Sequence, residues 1–271
     1  MSIRFRLCKN DITTFIRDTF NAHPLRVPET KTRPLMVVAR KDSKTDHRGE
    51  LKYLLDNGMD FDVEVKESKL ANTTLDRSRT VNLDFGLKIL EGFLSGFNLS
   101  PAPIGASLKG VTEMSFSFTD TMRFYVDVNE LGTKLKGRNA DLEHPSIGIF
   151  TKPDGYDMLL ISDIIASKSF TINIEKTRDQ DFNASMPALQ AYIADVDAKV
   201  KVKMEDGRSI TFTGDEYLTF AFTCVMLDMD KQTGALKVGE TVITKGGDSQ
   251  ASPYVEMDDD EFEPGMIDWD N

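Results

Sequence analysis

Apolar and polar residues alternate with period two through much of this chain, and that pattern commits it to β-structure. Val81, Leu83, Phe85, Leu87 and Ile89 alternate with Asn82, Asp84, Gly86 and Lys88. Met114, Phe116 and Phe118 alternate with serines, and Phe124, Val126 and Val128 extend the series. Phe61, Val63 and Val65 repeat it, as do Phe170, Ile172 and Ile174. Strands with one apolar and one polar face build either a half-solvated antiparallel sheet or the wall of a transmembrane barrel. The alternation alone does not choose between them.

Other segments carry different signals. Ile12, Phe15, Ile16 and Phe20 recur at helical spacing, so Leu7 to Phe20 reads as an amphipathic helix ended by His23-Pro24. Leu35 to Ala39 reads as a buried strand, Lys41 to Gly49 as a charged loop, and Glu50 to Leu55 as a short helix. Ile147 and Ile149 lead to the turn Pro153-Asp154-Gly155, which returns through Met158 to Ile165. Met186 to Ile193 suits a helix. Val196 to Met204 and Ser209 to Thr213 form a hairpin through Glu205-Asp206-Gly207-Arg208. The uncharged run Tyr217 to Leu227 reads as a central strand, turned by Asp230 to Gly234. Between Glu91 and Lys109 there is no charge, yet Gly92, Gly96, Pro101, Pro103 and Gly105 break that stretch, and it is too short to span as a helix. It is either tucked into a core or held ready for lipid.

Charge is unevenly placed. The chain has 33 basic and 44 acidic residues, a net charge of -11. After Lys245 there is no Lys or Arg, while Asp248, Glu256, Asp258, Asp259, Asp260, Glu261, Glu263, Asp268 and Asp270 follow. Residues 1–245 are therefore close to neutral. Lys245 to Pro253 is small and polar, an exposed linker open to proteases. Tyr254, Val255, Phe262, Met266, Ile267 and the only Trp, Trp269, are interleaved among the acids. Aromatic anchors in an acidic segment point to docking on a surface. The acidic balance disfavours a nucleic-acid partner. Two cysteines make no disulfide framework, and the first residues lack a signal-peptide core, so the expectation is a cytoplasmic protein.

No catalytic signature is present: no Walker loop, GxGxxG, HExxH or GxSxG motif occurs. His23, His47 and His144 stand far apart in expected loops, so no metal centre is expected. Cys224 lies in an apolar run and reads as a packed thiol. The expectation is a protein that is not an enzyme and has no catalytic residue or cofactor.

Three features together resemble the bacterial gasdermins. They are Leu7-Cys8-Lys9-Asn10-Asp11 before an amphipathic helix, two long alternating β regions over 79–128 and 145–176, and Tyr217-Leu218-Thr219-Phe220-Ala221-Phe222-Thr223-Cys224 followed by an acid-rich C-terminal segment. The resemblance implies an α+β fold: a twisted, mainly antiparallel central sheet with flanking helices. It implies a pore-forming domain over 1–245 and a linker with an autoinhibitory peptide over 246–271.

The implied function is a cytoplasmic, autoinhibited effector. A caspase-like or trypsin-like protease removes the C-terminal segment, with Lys245 and Asp248 as candidate cut positions. The body then oligomerises into a large ring on anionic lipid of the inner membrane, inserts two β-hairpins per subunit and kills the cell, limiting phage spread. The resemblance also implies a palmitoyl group on Cys8. Phe262, Met266, Ile267 and Trp269 are the expected autoinhibitory contacts. Val81, Leu83, Phe85, Leu87, Ile89, Phe116, Phe118, Phe124, Val126, Phe170, Ile172 and Ile174 are the expected membrane-inserting residues, with Asp84, Lys88, Asp127 and Asn173 facing a water-filled lumen. The alternatives are a soluble α+β scaffold whose acidic tail recruits a basic partner, and a hydrolase using Cys224.

Overall fold

The computed structural model describes residues 22–41, 44–70, 73–74, 94, 111–177, 200–205 and 208–242. Within them the strands are β1 (His23–Glu29), β2 (Met36–Lys41), β3 (Lys44–Glu50), β4 (Val65–Lys69), β5 (Thr73–Thr74) and β6 (Val111–Val126), followed by β7 (Asp157–Thr177), β8 (Val200–Glu205), β9 (Ser209–Met229) and β10 (Leu236–Val242). They form one antiparallel sheet whose central order is β1-β9-β7-β2-β3. β6 pairs with β7 and carries β4 and β5, while β8 and β10 pair with β9. Among the described residues there are also three short α-helices, α1 (Leu51–Leu54), α2 (Val128–Leu135) and α3 (Gly148–Thr151), and a 3-10 helix at Gly58–Asp60.

The centre of the sheet is apolar on both faces, because neighbouring residues in each central strand feed opposite clusters. Val37, Ala39, Leu160, Val225 and Leu227 pack with Leu51, Leu54, Leu131, Leu135 and Phe150 of the helices. Val38, Leu159, Ile161, Phe222 and Cys224 join Leu25 on the other face. Burial on both faces selects continuous apolar runs such as Leu159-Leu160-Ile161, and explains the uncharged run ending at Leu227. Removing each such side chain from water contributes about 1.5–3 kcal/mol.

Local chemistry sets the element ends. β6 stops where Asp127 accepts hydrogen bonds from the backbone N–H of Asn129 (2.8 Å) and Glu130 (3.1 Å), starting α2. Val128 is thus the first residue of a helix and does not continue the strand. The turn between β9 and β10 is built by Asp230, whose Oδ1 accepts from the N–H of Gln232 (2.9 Å) and Thr233 (2.8 Å). Gly234 closes it at φ 74, and a Cβ there would sit 2.5 Å from the Ala140 carbonyl oxygen.

The structure corrects several local expectations. Residues 44–50 are the edge strand β3, paired with β2 from Lys41↔Lys44 to Met36↔Glu50, where a charged loop was expected. Charged side chains suit an edge strand, which must discourage pairing with other chains. Ile147 ends a turn and Ile149 lies in α3, since Ile147 and Phe150 face one core and one helical turn brings both inward. Phe61 and Val63 are buried but precede β4, whereas Val65 is 43% exposed on that edge strand. His23 and His47 lie in β1 and β3; His144 is in a turn. The expected helices at Leu7–Phe20 and Met186–Ile193 lie outside the described residues.

Candidate functional site

Three strands are far longer than the rest: β6 has 16 residues, and β7 and β9 have 21 each. Beyond the core they run on together as a blade, with β7 between the other two and β5 and β8 at its margins. Register fixes its two faces, because directly paired residues share a side. Phe118, Phe170 and Phe212 are paired across the three strands and fully or nearly fully buried. Their ring centroids stand 5.9 Å apart for Phe118–Phe170 and 6.5 Å for Phe170–Phe212. Ile172, Ile174 and Ile210 continue this apolar face.

The other face is made of hydroxyl groups. Ser117, Thr171 and Thr211 are paired across it, as are Thr119, Ser169 and Thr213. Thr171 and Thr211 hydroxyls meet at 2.8 Å and those of Ser169 and Thr213 at 3.1 Å. Ser209 donates to Oδ1 of Asn173 at 2.7 Å, and Ser167 donates to the Thr119 carbonyl at 2.6 Å. On β8, Lys201 and Lys203 pair with Thr213 and Thr211, so both exposed lysines border this face. One side of the blade therefore suits an apolar medium and the other suits water.

At the body end of the blade Arg123 of β6 meets Asp163 of β7. Its Nε donates to Asp163 Oδ2 at 2.6 Å, and its guanidinium lies 5.2 Å from the Tyr125 ring centre. The Asp163 side chain is only 10% exposed. Burial holds its carboxyl above the usual carboxylate range, against the opposing pull of Arg123.

The residues named from sequence divide clearly. Phe118, Phe170, Ile172 and Ile174 lie together on the apolar face. Phe124 sits edge-on to Tyr217 with centroids 5.7 Å apart, and Val126 belongs to the helix-covered core. Phe116 is in β6 opposite Ile172. Asp127 caps α2, so in this state it faces no lumen. Leu94, from the uncharged stretch, is fully buried. Cys8, Val81, Leu83, Asp84, Phe85, Leu87, Lys88, Ile89, Lys245, Asp248, Phe262, Met266, Ile267 and Trp269 lie outside the described residues. The hydroxyl face was a missed signal: Ser167, Ser169, Thr171 and Asn173 recur with period two, as do Ser209, Thr211 and Thr213.

Cys224 is fully buried and burial pushes its thiol far up, away from the thiolate a nucleophile needs. Among the described residues no group of three His, Cys, Asp or Glu side chains is placed to hold a metal. No helix among them is long and apolar enough to cross a membrane.

The profile of the Bacterial Gasdermin Family matches residues 25–235. The chain belongs to the bacterial gasdermin family. Among gasdermin relatives, Gasdermin bGSDM of Vitiosangium sp. is 22% identical over 220 residues, covering 80% of this chain and 81% of that one. Gasdermin bGSDM of a Desulfuromonadales bacterium is 24% identical over 229 residues, covering 82% and 83%. The solved structure of a bacterial gasdermin from Bradyrhizobium tropiciagri superposes with a TM-score of 0.57 at 11% identity, covering 85% of this chain and 91% of that one. The gasdermin fold is thus shared although few residues are. It is an α+β fold with a mostly antiparallel, curled sheet, as the alternation and the resemblance led one to expect.

Proposed function

We propose that this chain is an autoinhibited pore-forming effector. The observation that carries the reading is the two-faced blade of β6, β7 and β9, in a member of a family of pore-forming proteins. Backbone can cross a bilayer as strands only in a closed sheet, which the three long strands of one copy do not make and a ring of copies does. Crossing needs about 9–11 residues per strand. The 21-residue strands β7 and β9 exceed that length. In the ring the apolar face meets lipid, and the hydroxyls with Lys201 and Lys203 line water.

In this reading residues 1–245 are the pore-forming domain, and 246–271 are the linker and inhibitory peptide. Phe262, Met266, Ile267 and Trp269 cover an apolar surface of the stored protein, and a caspase-like or trypsin-like protease cuts in the 245–254 linker. Cutting after Lys245 turns a chain of net charge -11 into a released body near neutrality, which favours approach to anionic lipid. A palmitoyl group on Cys8 assists insertion, although one acyl chain gives only marginal binding by itself. The ring forms on the inner membrane, and the leak kills the cell in defence against phage.

The test is dye release from anionic liposomes by the intact chain and by a chain nicked between 245 and 254. Release by the nicked form alone is expected. Silence from both, with the nicked protein folded, would replace the reading with that of a scaffold that recruits a basic partner.

A further inference from the structure

Any lengthening of β6, β7 and β9 into a straight sheet has to remove a line of irregularity that the three strands share. In β6, Asp120 has φ 53, in the left-handed region, between Thr119 paired with Ser169 and Thr121 paired with Ser167. Lys168 of β7 lies between those two partners. In β9, Ser167 pairs with Leu218 and Ser169 with Thr213, so Gly214, Asp215, Glu216 and Tyr217 stand opposite Lys168 alone. The breaks fall at one level across the sheet. Neighbouring strands respect that level: β1, β2, β4 and β10 pair only on the body side, and β5 only on the blade side. β8 pairs from Gly214 outward.

Side chains bridge the line. The Tyr217 hydroxyl donates to Asp120 Oδ1 at 3.4 Å, and Lys168 Nζ lies 4.6 Å over the Tyr217 ring. On the apolar face Phe118 of the blade stacks on Phe220 of the body, with centroids 4.5 Å apart and planes within 8°. Beside Asp120, the fully buried Thr121 has a hydroxyl with no hydrogen-bond partner among the described residues. Leaving such a buried group unpaired is costly.

We infer that this line is a hinge on which the blade swings away from the body, with Asp120 its strained element and the Phe118–Phe220 stack and Tyr217 cluster its restraints. The inference rests on the pore-forming reading and names the residues that position its transition. Straightening β6 moves Asp120 from the left-handed region, which disfavours side chains with a Cβ, to extended backbone, which any residue adopts. Asp, like Asn, tolerates the left-handed region better than other residues with a Cβ, so the strain it releases is modest; it favours the swing, and the ring contacts resist it.

Replacements at one position separate strain from contact. Asp120→Gly relieves the strain in the bent form and disfavours the extended strand, whereas Asp120→Val does the opposite on both counts. Each is expected to change the rate of dye release by the nicked chain about tenfold, Gly slowing it and Val speeding it. Asp120→Gly also loses the bond to Tyr217, but at 3.4 Å from an exposed carboxylate that effect is the smaller. Asp120→Asn tolerates the left-handed region and keeps an acceptor, so its rate stays within about twofold of the original.

A second readout uses the intact chain: amide hydrogen exchange. Asp120→Val is expected to speed exchange at 117–119 and 211–213 while 158–165 stays unchanged. Rates that move in the same direction for Gly and Val, or that do not move, overturn the hinge. So does exchange that rises uniformly through the sheet. If the unsubstituted nicked chain releases no dye, the pore-forming reading falls, and the exchange pattern alone decides the hinge.

Discussion

Arg123→Met tests how the blade is fastened to the body. In the folded chain Asp163 is about nine-tenths buried and its main partner is Arg123, at 2.6 Å through Nε. Removing the guanidinium leaves a buried carboxylate without its countercharge, which ordinarily costs about 3–5 kcal/mol. Arg123 is itself 49% exposed, so water enters where it stood and screens the loss. The expected destabilisation at pH 7 is therefore about 2–3 kcal/mol, read as a lower urea midpoint with unchanged slope.

The pH dependence gives the sharper check. Asp163 binds its proton more tightly folded than unfolded, so its ionisation opposes folding as pH rises through its raised folded-state value. Arg123 offsets that penalty, and the variant does not. The stability gap between variant and parent should be full at pH 7 and close as pH falls through the range above about 4, where Asp163 takes up its proton. Adding Asp163→Asn to Arg123→Met should recover more than half of the loss at pH 7. A gap that is constant with pH, or smaller than about 0.5 kcal/mol, would refute the reasoning.

Gly234→Ala should cost about 2–3 kcal/mol in urea unfolding, from a left-handed backbone and a Cβ 2.5 Å from the Ala140 carbonyl oxygen. Asp127→Ala should remove about 1 kcal/mol by orphaning two N–H groups of α2, seen as faster exchange at Asn129 and Glu130. Cys224 should resist alkylation in the folded chain and react on unfolding, whereas labelling of the native protein at the rate of a free thiol would contradict its burial. Replacing Lys201 and Lys203 together by Glu should shift the ion preference of the pore toward cations, measured as a change of reversal potential in planar bilayers.

Alternation and turn chemistry were legible in the sequence because each depends on residues close along the chain. Phe118, Phe170 and Ile172 declared a buried face, and Asp230 with Gly234 declared a turn, before any strand had a partner. The β8–β9 hairpin was legible for the same reason: its register from Glu205↔Ser209 follows from the residues between. Residues 44–50 were not, since a charged segment becomes a strand only when β2 lies alongside to pair with it.

What the sequence determined by itself, then, is a chain rich in two-faced β-strands with a charge-segregated C-terminal segment, fixed by period-two patterning and composition. The tertiary structure alone decided which alternating strands stand beside one another. Only that adjacency joins Arg123 to Asp163 across 40 residues and sets Phe118 on Phe220. It also aligns Asp120, Lys168 and Tyr217 on one line. These contacts arise between strands distant in sequence, whose order and register are chosen by burial of both sheet faces at once, a global condition that no local pattern encodes.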